Sequence, residues 1–191
     1  MVRLVARTPL EGEPLGPVGG VVLTEAHIDQ AFSVAPFRGK AAAVDAALRK
    51  ACGLGFPPPN TALAAGAVRA VWSGRGRALV IGTALPAAIH RIAAVTAQGD
   101  GIAALRVEGA AAVDVLARLV PADLRPARFP PGTTARTLVG HMAAQVTCLG
   151  PDLFEIMVMR SMGHTLVHEI SEAAAMVAVR GQHAGSPDPS A

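Results

Sequence analysis

Aromatic side chains are almost missing from this chain: one Trp, no Tyr and five Phe among 191 residues. Any core must therefore be aliphatic and Ala-rich, although hydrophobic residues make up 51% of the sequence. Small aliphatic side chains bury less area per residue than rings do. Part of the stability is then expected from a partner surface, although small cores also fold alone. The length suits one ordinary domain or two small ones in contact.

The charged residues point the same way. Net charge is +3, carried by 15 Arg and only two Lys, Lys40 and Lys50. The Arg residues are scattered from Arg3 to Arg180 without a run. A nucleic-acid surface would show a basic stripe with interleaved rings, and neither is present. Dispersed Arg with scarce Lys is instead the composition of protein interfaces. Cys52 and Cys148 have no metal-type spacing and read as two reduced, buried thiols. Arg3 and Arg7 interrupt the apolar opening, so no signal peptide is expected. No apolar run is long enough for a membrane span, and a soluble, cytoplasmic protein is expected.

The pattern along the chain predicts an α+β fold. Residues 1–20 read as an extended, Pro/Gly-punctuated arm whose apolar residues (Val2, Leu4, Val5, Leu10, Leu15) need a surface. That surface is either another chain or the edge of this chain's own sheet. A first α+β half is expected over 21–98. It holds a strand at Ile28–Val34 and a helix at Arg38–Cys52 with Gly53 as its left-handed cap. A hairpin of Ala67–Trp72 and Arg77–Ile81 follows, then a short helix at Leu85–Ile92. A second half is expected over 99–180. It holds a strand at Ile102–Val107 and a helix at Ala110–Val120, with Asp114 and Arg118 spaced for an i,i+4 pair. Strands at Ala135–Val139, Met142–Cys148 and Leu153–Met159 follow, then a helix opened by Ser161 and running to about Arg180. Residues 181–191 read as a flexible tail.

The halves resemble each other. Trp72-Ser73-Gly74 and Cys148-Leu149-Gly150 each sit before a strand, with their glycines 76 residues apart. His90 and His168 each sit in the helix that follows, 78 residues apart. The expected unit is a duplicated β-α-β-β-α arrangement with antiparallel sheets and packed helices.

Motifs for chemistry are hard to find. Gly74-Arg75-Gly76 lies in a hairpin, not at a strand-to-helix turn, so it is no phosphate cradle. There is no P-loop and no nucleophile elbow. His164 and His168 have the i,i+4 spacing of a metal pair, but they face away from the apolar stripe Met162, Leu166, Ile170, Ala173 and Val177. No further His or Cys stands at a completing local spacing, so they read as a polar edge. Asp123 could serve as a general base only from a pocket; capping a turn or pairing with an Arg is its expected role.

Four segments resemble the gamma subunit of heterotetrameric sarcosine oxidase. The first is Phe37-Arg38-Gly39-Lys40 with the Ala-rich helix and Gly53-Leu54-Gly55-Phe56-Pro57. The second is Ala70-Val71-Trp72-Ser73-Gly74. The third, and most specific, runs from Leu119 through Pro121-Ala122-Asp123-Leu124-Arg125-Pro126 and Phe129-Pro130-Pro131-Gly132 to Thr137. The fourth is Phe154-Glu155-Ile156-Met157-Val158-Met159-Arg160-Ser161-Met162. Together they span about Val34 to Val179.

The resemblance implies a fold similar to the folate-binding aminomethyltransferase (glycine-cleavage T-protein) domain. It implies partners too: alpha, beta and delta subunits of a cytosolic complex that oxidatively demethylates sarcosine to glycine. That reaction yields hydrogen peroxide and, with tetrahydrofolate, methylenetetrahydrofolate. FAD, FMN, NAD and zinc would sit on the other subunits, and this chain would be non-catalytic. Ala97 and Gly99 depart from the acidic residue and Ser that relatives often carry, which counts against a remnant polar site near that strand. No catalytic, cofactor-binding or metal residue is carried over. Asp123, Leu124, Arg125, Phe129, Arg160 and Ser161 are the expected interface residues, each with internal packing as its competing role. The alternatives are a free-standing folate-binding aminomethyltransferase-like protein, or the equivalent subunit of another N-methyl amine dehydrogenase.

Overall fold

The structure, a computed structural model, describes residues 5–184, and the side chains of residues 5–180. The chain opens with β1 (Gly16–Val18), β2 (Val21–Glu25) and β3 (Ala31–Pro36), followed by α1 (Ala41–Cys52). Next come β4 (Ala62–Ala65), β5 (Val68–Gly74), β6 (Arg77–Ile81), a 3-10 turn at Ala87–Arg91 and β7 (Ala93–Ala97). A 3-10 turn at Gly99–Gly101 leads into β8 (Ile102–Glu108), α2 (Ala112–Leu116), β9 (Thr134–Val139), β10 (Met142–Gly150) and β11 (Leu153–Met159). A last 3-10 turn at Arg160–Met162 opens α3 (Gly163–Ala184).

The class is α+β, with two antiparallel sheets. One has the order β1-β2-β8-β11-β10-β9, the other β4-β5-β6-β3-β7. Three clusters of buried residues order the layers. The largest packs β8, β10 and β11 side chains (Leu105, Val146, Ile156) under α2 and α3 (Leu116, Leu166, Ile170). A second packs Val34 and Val80 against α1 (Val44, Leu48) and Ile89 of the 3-10 turn. The third lies between the sheets, where Val71, Leu79 and Ile81 meet Ala104 and Met157. Side chains alternate along each strand, so β3, β6, β8 and β11 each supply two of these clusters.

The two sheets also share a connection pattern. Reading β4-β5-β6-β3 against β9-β10-β11-β8, the strands correspond in order, and α1 and α2 follow the equivalent strands β3 and β8. Both central hairpins shift register at the same place, after Trp72 and after Cys148. The Trp72 amide donates to the Thr61 carbonyl at 3.0 Å, and the Cys148 amide to the Thr133 carbonyl at 2.9 Å. Thr61 and Thr133 bridge to each other, which joins the sheets along one corner.

Several boundaries differ from the sequence reading. Val21–Glu25, expected in the first half, pairs with β8 of the other sheet. The arm is not loose: Gly16–Val18 is an edge strand, and Leu10 is 1% exposed in the largest core cluster. Burying one Leu contributes about 1.5–3 kcal/mol, enough to hold a short arm to its own chain. Val2 and Leu4 lie outside the described residues. α1 ends as expected, with Gly53 at φ 74 donating its amide to the Arg49 carbonyl. α2 closes at Leu116 and continues as tighter turns (Arg118 N to Val115 O, Leu119 N to Leu116 O), so Arg118 falls beyond the α-helix. α3 runs to Ala184, past the expected start of the tail at 181; the rest of the tail lies outside the described residues. Among the described residues, no helix is long and apolar enough to cross a membrane.

Candidate functional site

The most unusual chemistry sits between the sheets. β11 sends Phe154, Ile156 and Val158 toward the helices, and Glu155 and Met157 toward the facing sheet. Glu155 is 0% exposed. Arg106 is its directly opposed neighbour on β8, with Nε 3.5 Å from Oε2. Arg69 reaches across from β5 and donates Nη1 to Oε1. A buried carboxylate is costly unless paired and hydrogen-bonded, and here one carboxylate is held between two guanidinium groups. Its Oε2 is buried without a hydrogen-bond partner, so the pairing with Arg106 is purely electrostatic at that oxygen.

Arg69 and Arg106 also line a cleft of about 540 Å³ with His27, Asp29 and Gln30. Arg106 is the exposed member, with 44% of its side chain accessible against 14% for Arg69. The arrangement can lock two sheets in register, and it offers a guanidinium edge to the cleft.

A second polar seam lies nearer the joined corner. Gln145 Nε2 donates to the Trp72 carbonyl at 3.0 Å and to the Thr134 hydroxyl at 2.7 Å. Thr134 in turn meets the Thr147 hydroxyl at 2.8 Å and donates to the Val146 carbonyl. Arg136 Nη1 donates to the Ser73 carbonyl at 3.1 Å. These groups spend their hydrogen bonds on each other and on backbone, which is the chemistry of a structural seam.

The expected interface residues separate into two kinds. Leu124 is 2% exposed and Phe129 6%, both in the core. Phe129 stacks on Phe154 with ring centroids 6.5 Å apart. Both side chains pack inside this chain, in the cluster under α2 and α3, which is the competing role. Asp123 and Arg125 stay at the surface and pair with each other, Arg125 Nε to Oδ1 at 2.8 Å and Nη2 to Oδ2 at 2.6 Å. The Arg125 amide caps the same carboxylate at 3.2 Å. Arg160 Nη2 donates to the Arg7 carbonyl at 2.5 Å, and Ser161 lines an open cleft of about 680 Å³ with Thr8, Met159 and His164.

The Arg125 guanidinium, then its amide, pull the Asp123 carboxyl down to about 2. A depressed carboxylate stabilises above its ordinary pKa and loses that contribution as pH falls toward the folded value. A carboxyl-detected NMR titration should give a midpoint near 2 for Asp123. In Arg125→Ala the midpoint should move up toward the model-compound value of 3.8; an unmoved midpoint would remove the pair as the cause.

His164 and His168 do not converge on one point. His164 Nδ1 meets Glu13 of the arm, and His168 lies 3.6 Å from Glu172. Among the described residues, no group of three or more His, Cys, Asp or Glu side chains could hold a metal ion. Cys148 is buried, and burial raises its thiol pKa; Cys52 is half-buried. A disulfide-type thiol reagent should therefore label Cys52 first and Cys148 only on unfolding, as read by mass spectrometry of quenched digests. Equal labelling rates in the folded protein would contradict the burial.

Sequence reasoning missed Glu155, Arg69 and Arg106. A signal was present: Glu155 is the sole charge inside the apolar run Leu153-Phe154-Glu155-Ile156-Met157-Val158-Met159. Its partners are 86 residues away in sequence for Arg69 and on an adjacent strand for Arg106, and no local period could pair them.

No model of a known protein family matches the chain. No curated protein matches it. Among solved structures, the chain is similar to a chain of the heterotetrameric sarcosine oxidase from Corynebacterium sp. U-96, solved in complex with pyrrole 2-carboxylate. The TM-score is 0.75 at 20% identity, covering 91% of this chain and 96% of that chain. The two share a fold. A match to an aspartate kinase from Synechocystis has a TM-score of 0.38 at 13% identity, covering 94% of this chain and 29% of that chain, and carries no argument.

Proposed function

We propose that this chain is a non-catalytic, gamma-type subunit of a heterotetrameric sarcosine oxidase. Its partners would be alpha, beta and delta chains that hold FAD, FMN, NAD, tetrahydrofolate and zinc. The complex would convert sarcosine to glycine with formation of hydrogen peroxide and methylenetetrahydrofolate. The observation that carries the reading is the end-to-end match, 91% of this chain against 96% of a chain from such a complex. The four resembling segments support it independently, because they are sequence features and the match is one of backbone shape.

The fold supports a structural role for the polar groups that face the seam between the sheets. Glu155, Arg69, Gln145 and Arg136 all tie one sheet to the other. The two sheets read as a duplicated unit, supported by their parallel strand orders and matched register shifts. The surface residues Asp123, Arg125, Arg160 and Ser161 remain the proposed contacts with other subunits.

Affinity capture of the tagged chain from its source cells tests this reading. The eluate should carry flavin absorbance and consume oxygen when sarcosine is added, and the purified chain alone should do neither. An eluate free of flavin but loaded with a reduced folate would favour the aminomethyltransferase-like alternative instead.

A further inference from the structure

A sheet edge is a row of unpaired backbone donors and acceptors, and folded proteins protect such edges with charge, Pro, brevity or cover. Among the described residues, three of the four sheet edges are protected. β1 is three residues long and contains Pro17. β4 and β9 meet at their starts, where the Ala62 amide donates to the Gly132 carbonyl and the Thr134 amide to the Asn60 carbonyl. Farther along, β9 carries Arg136.

β7 is the exception. Its five residues, Ala93-Ala94-Val95-Thr96-Ala97, hold no charge and no Pro. Gln98 donates to the Ala31 carbonyl and Phe37 to the Ile92 carbonyl, which sets the register of β7 on β3. Residues alternate along an antiparallel ladder. Ala94 and Thr96 therefore bond β3, and the amides and carbonyls of Ala93, Val95 and Ala97 point outward.

The two ends of this open edge carry opposite charge. At its start lie exposed Arg91, Arg38 and Lys40, the last two on the turn that bonds Ile92 through Phe37. At its end lie exposed Asp100 and Asp29, the latter packed against Gly99.

We propose that a second copy of this chain docks on β7 as an antiparallel strand across a two-fold axis. Antiparallel pairing centred on Val95 sets each Ala93 opposite the partner's Ala97, so every outward amide finds a carbonyl. The same two-fold lays the basic start of one strand against the acidic end of the other, twice. A two-fold contact must be self-complementary, and this edge is. Small side chains on both strands let the backbones approach without clash. The inference goes beyond the subunit reading: one heterotetramer holds a single copy of this chain, so within such a complex the contact would join two heterotetramers, and its failure would leave that reading untouched.

The test is sedimentation velocity on the full chain across a dilution series. The expected result is a reversible dimer. Ala97→Pro deletes one outward amide and leaves the bonds to β3 intact, so it should weaken association at least tenfold with unchanged circular dichroism. If that variant does not fold, Ala97→Lys places a charge at the same edge and should act alike. Arg91→Glu should weaken the dimer and Arg91→Glu/Asp100→Arg should restore it, because these two residues lie at opposite ends of one strand and meet only between copies. A chain that stays monomeric at its highest soluble concentration overturns the proposal. So does a dimer indifferent to both Ala97 variants, or a double charge variant weaker than Arg91→Glu alone.

Discussion

Glu155→Ala is expected to cost about 3–5 kcal/mol of unfolding free energy. The cost does not come from a strong ion pair as such. A buried pair gains little net energy after desolvation, but removing one member strands the other. Arg69 is the stranded group: 14% of its side chain is accessible, and its Nη1 points at the Glu155 carboxylate. Arg106 suffers less, because 44% of its side chain already meets water. Glu155→Leu combined with Arg69→Met should recover most of the loss, since a methyl-lined seam then replaces the charged one. Urea unfolding with an unchanged m-value would measure both. If Glu155→Ala costs under about 1 kcal/mol, the two sheets are not held through this carboxylate.

Gly19→Ala should cost about 3 kcal/mol, from two sources that add. Gly19 turns the β1–β2 hairpin at φ 54, where an L side chain is strained. An added Cβ would also sit 2.0 Å from the Ala174 carbonyl oxygen and 2.3 Å from its carbon. That obstacle is backbone in the middle of α3 and cannot swing aside. The hairpin must lift off the helix, carrying the arm and buried Leu10 with it. Gly12→Ala separates the two sources: φ is 89 there, but nothing stands within 4 Å of the added Cβ. It should show the strain alone, about 1 kcal/mol. Equal losses at the two positions would mean that the arm does not depend on its seat against α3.

How much of this was legible in the residues depends on the range over which each signal acts. α1 was readable because everything that makes it lies within one window: Val44 and Leu48 on one face, Gly53 to end it. The β5–β6 hairpin was readable for the same reason, with its turn residues between two apolar runs. β4 and β7 were not, because three of the four residues of Ala62–Ala65 and three of the five of Ala93–Ala97 are Ala, which is depleted in strands. Their strand form comes from neighbours β5 and β3, which lie elsewhere in sequence. α2 was overextended because Ala110–Val120 has helical composition throughout, yet the α-helix spans only Ala112–Leu116 before tighter turns interrupt it.

The interface residues show the same limit. The segment Asp123-Leu124-Arg125-Pro126 stood out as a unit, but composition could not tell its inward from its outward side chains. The structure divides it, Leu124 in and the Asp123–Arg125 pair out. Glu155 was visible as a charge in an apolar strand, and only the stacking of two sheets reveals why it is tolerated.

The most direct measurement of the proposed role is native mass spectrometry of the tagged chain released gently from its source cells. The subunit reading predicts one fixed stoichiometry with flavin-bearing chains and a fourth chain, and no folate on this chain once it is separated. A chain that arrives without flavin-bearing partners, free or only with copies of itself, would contradict it.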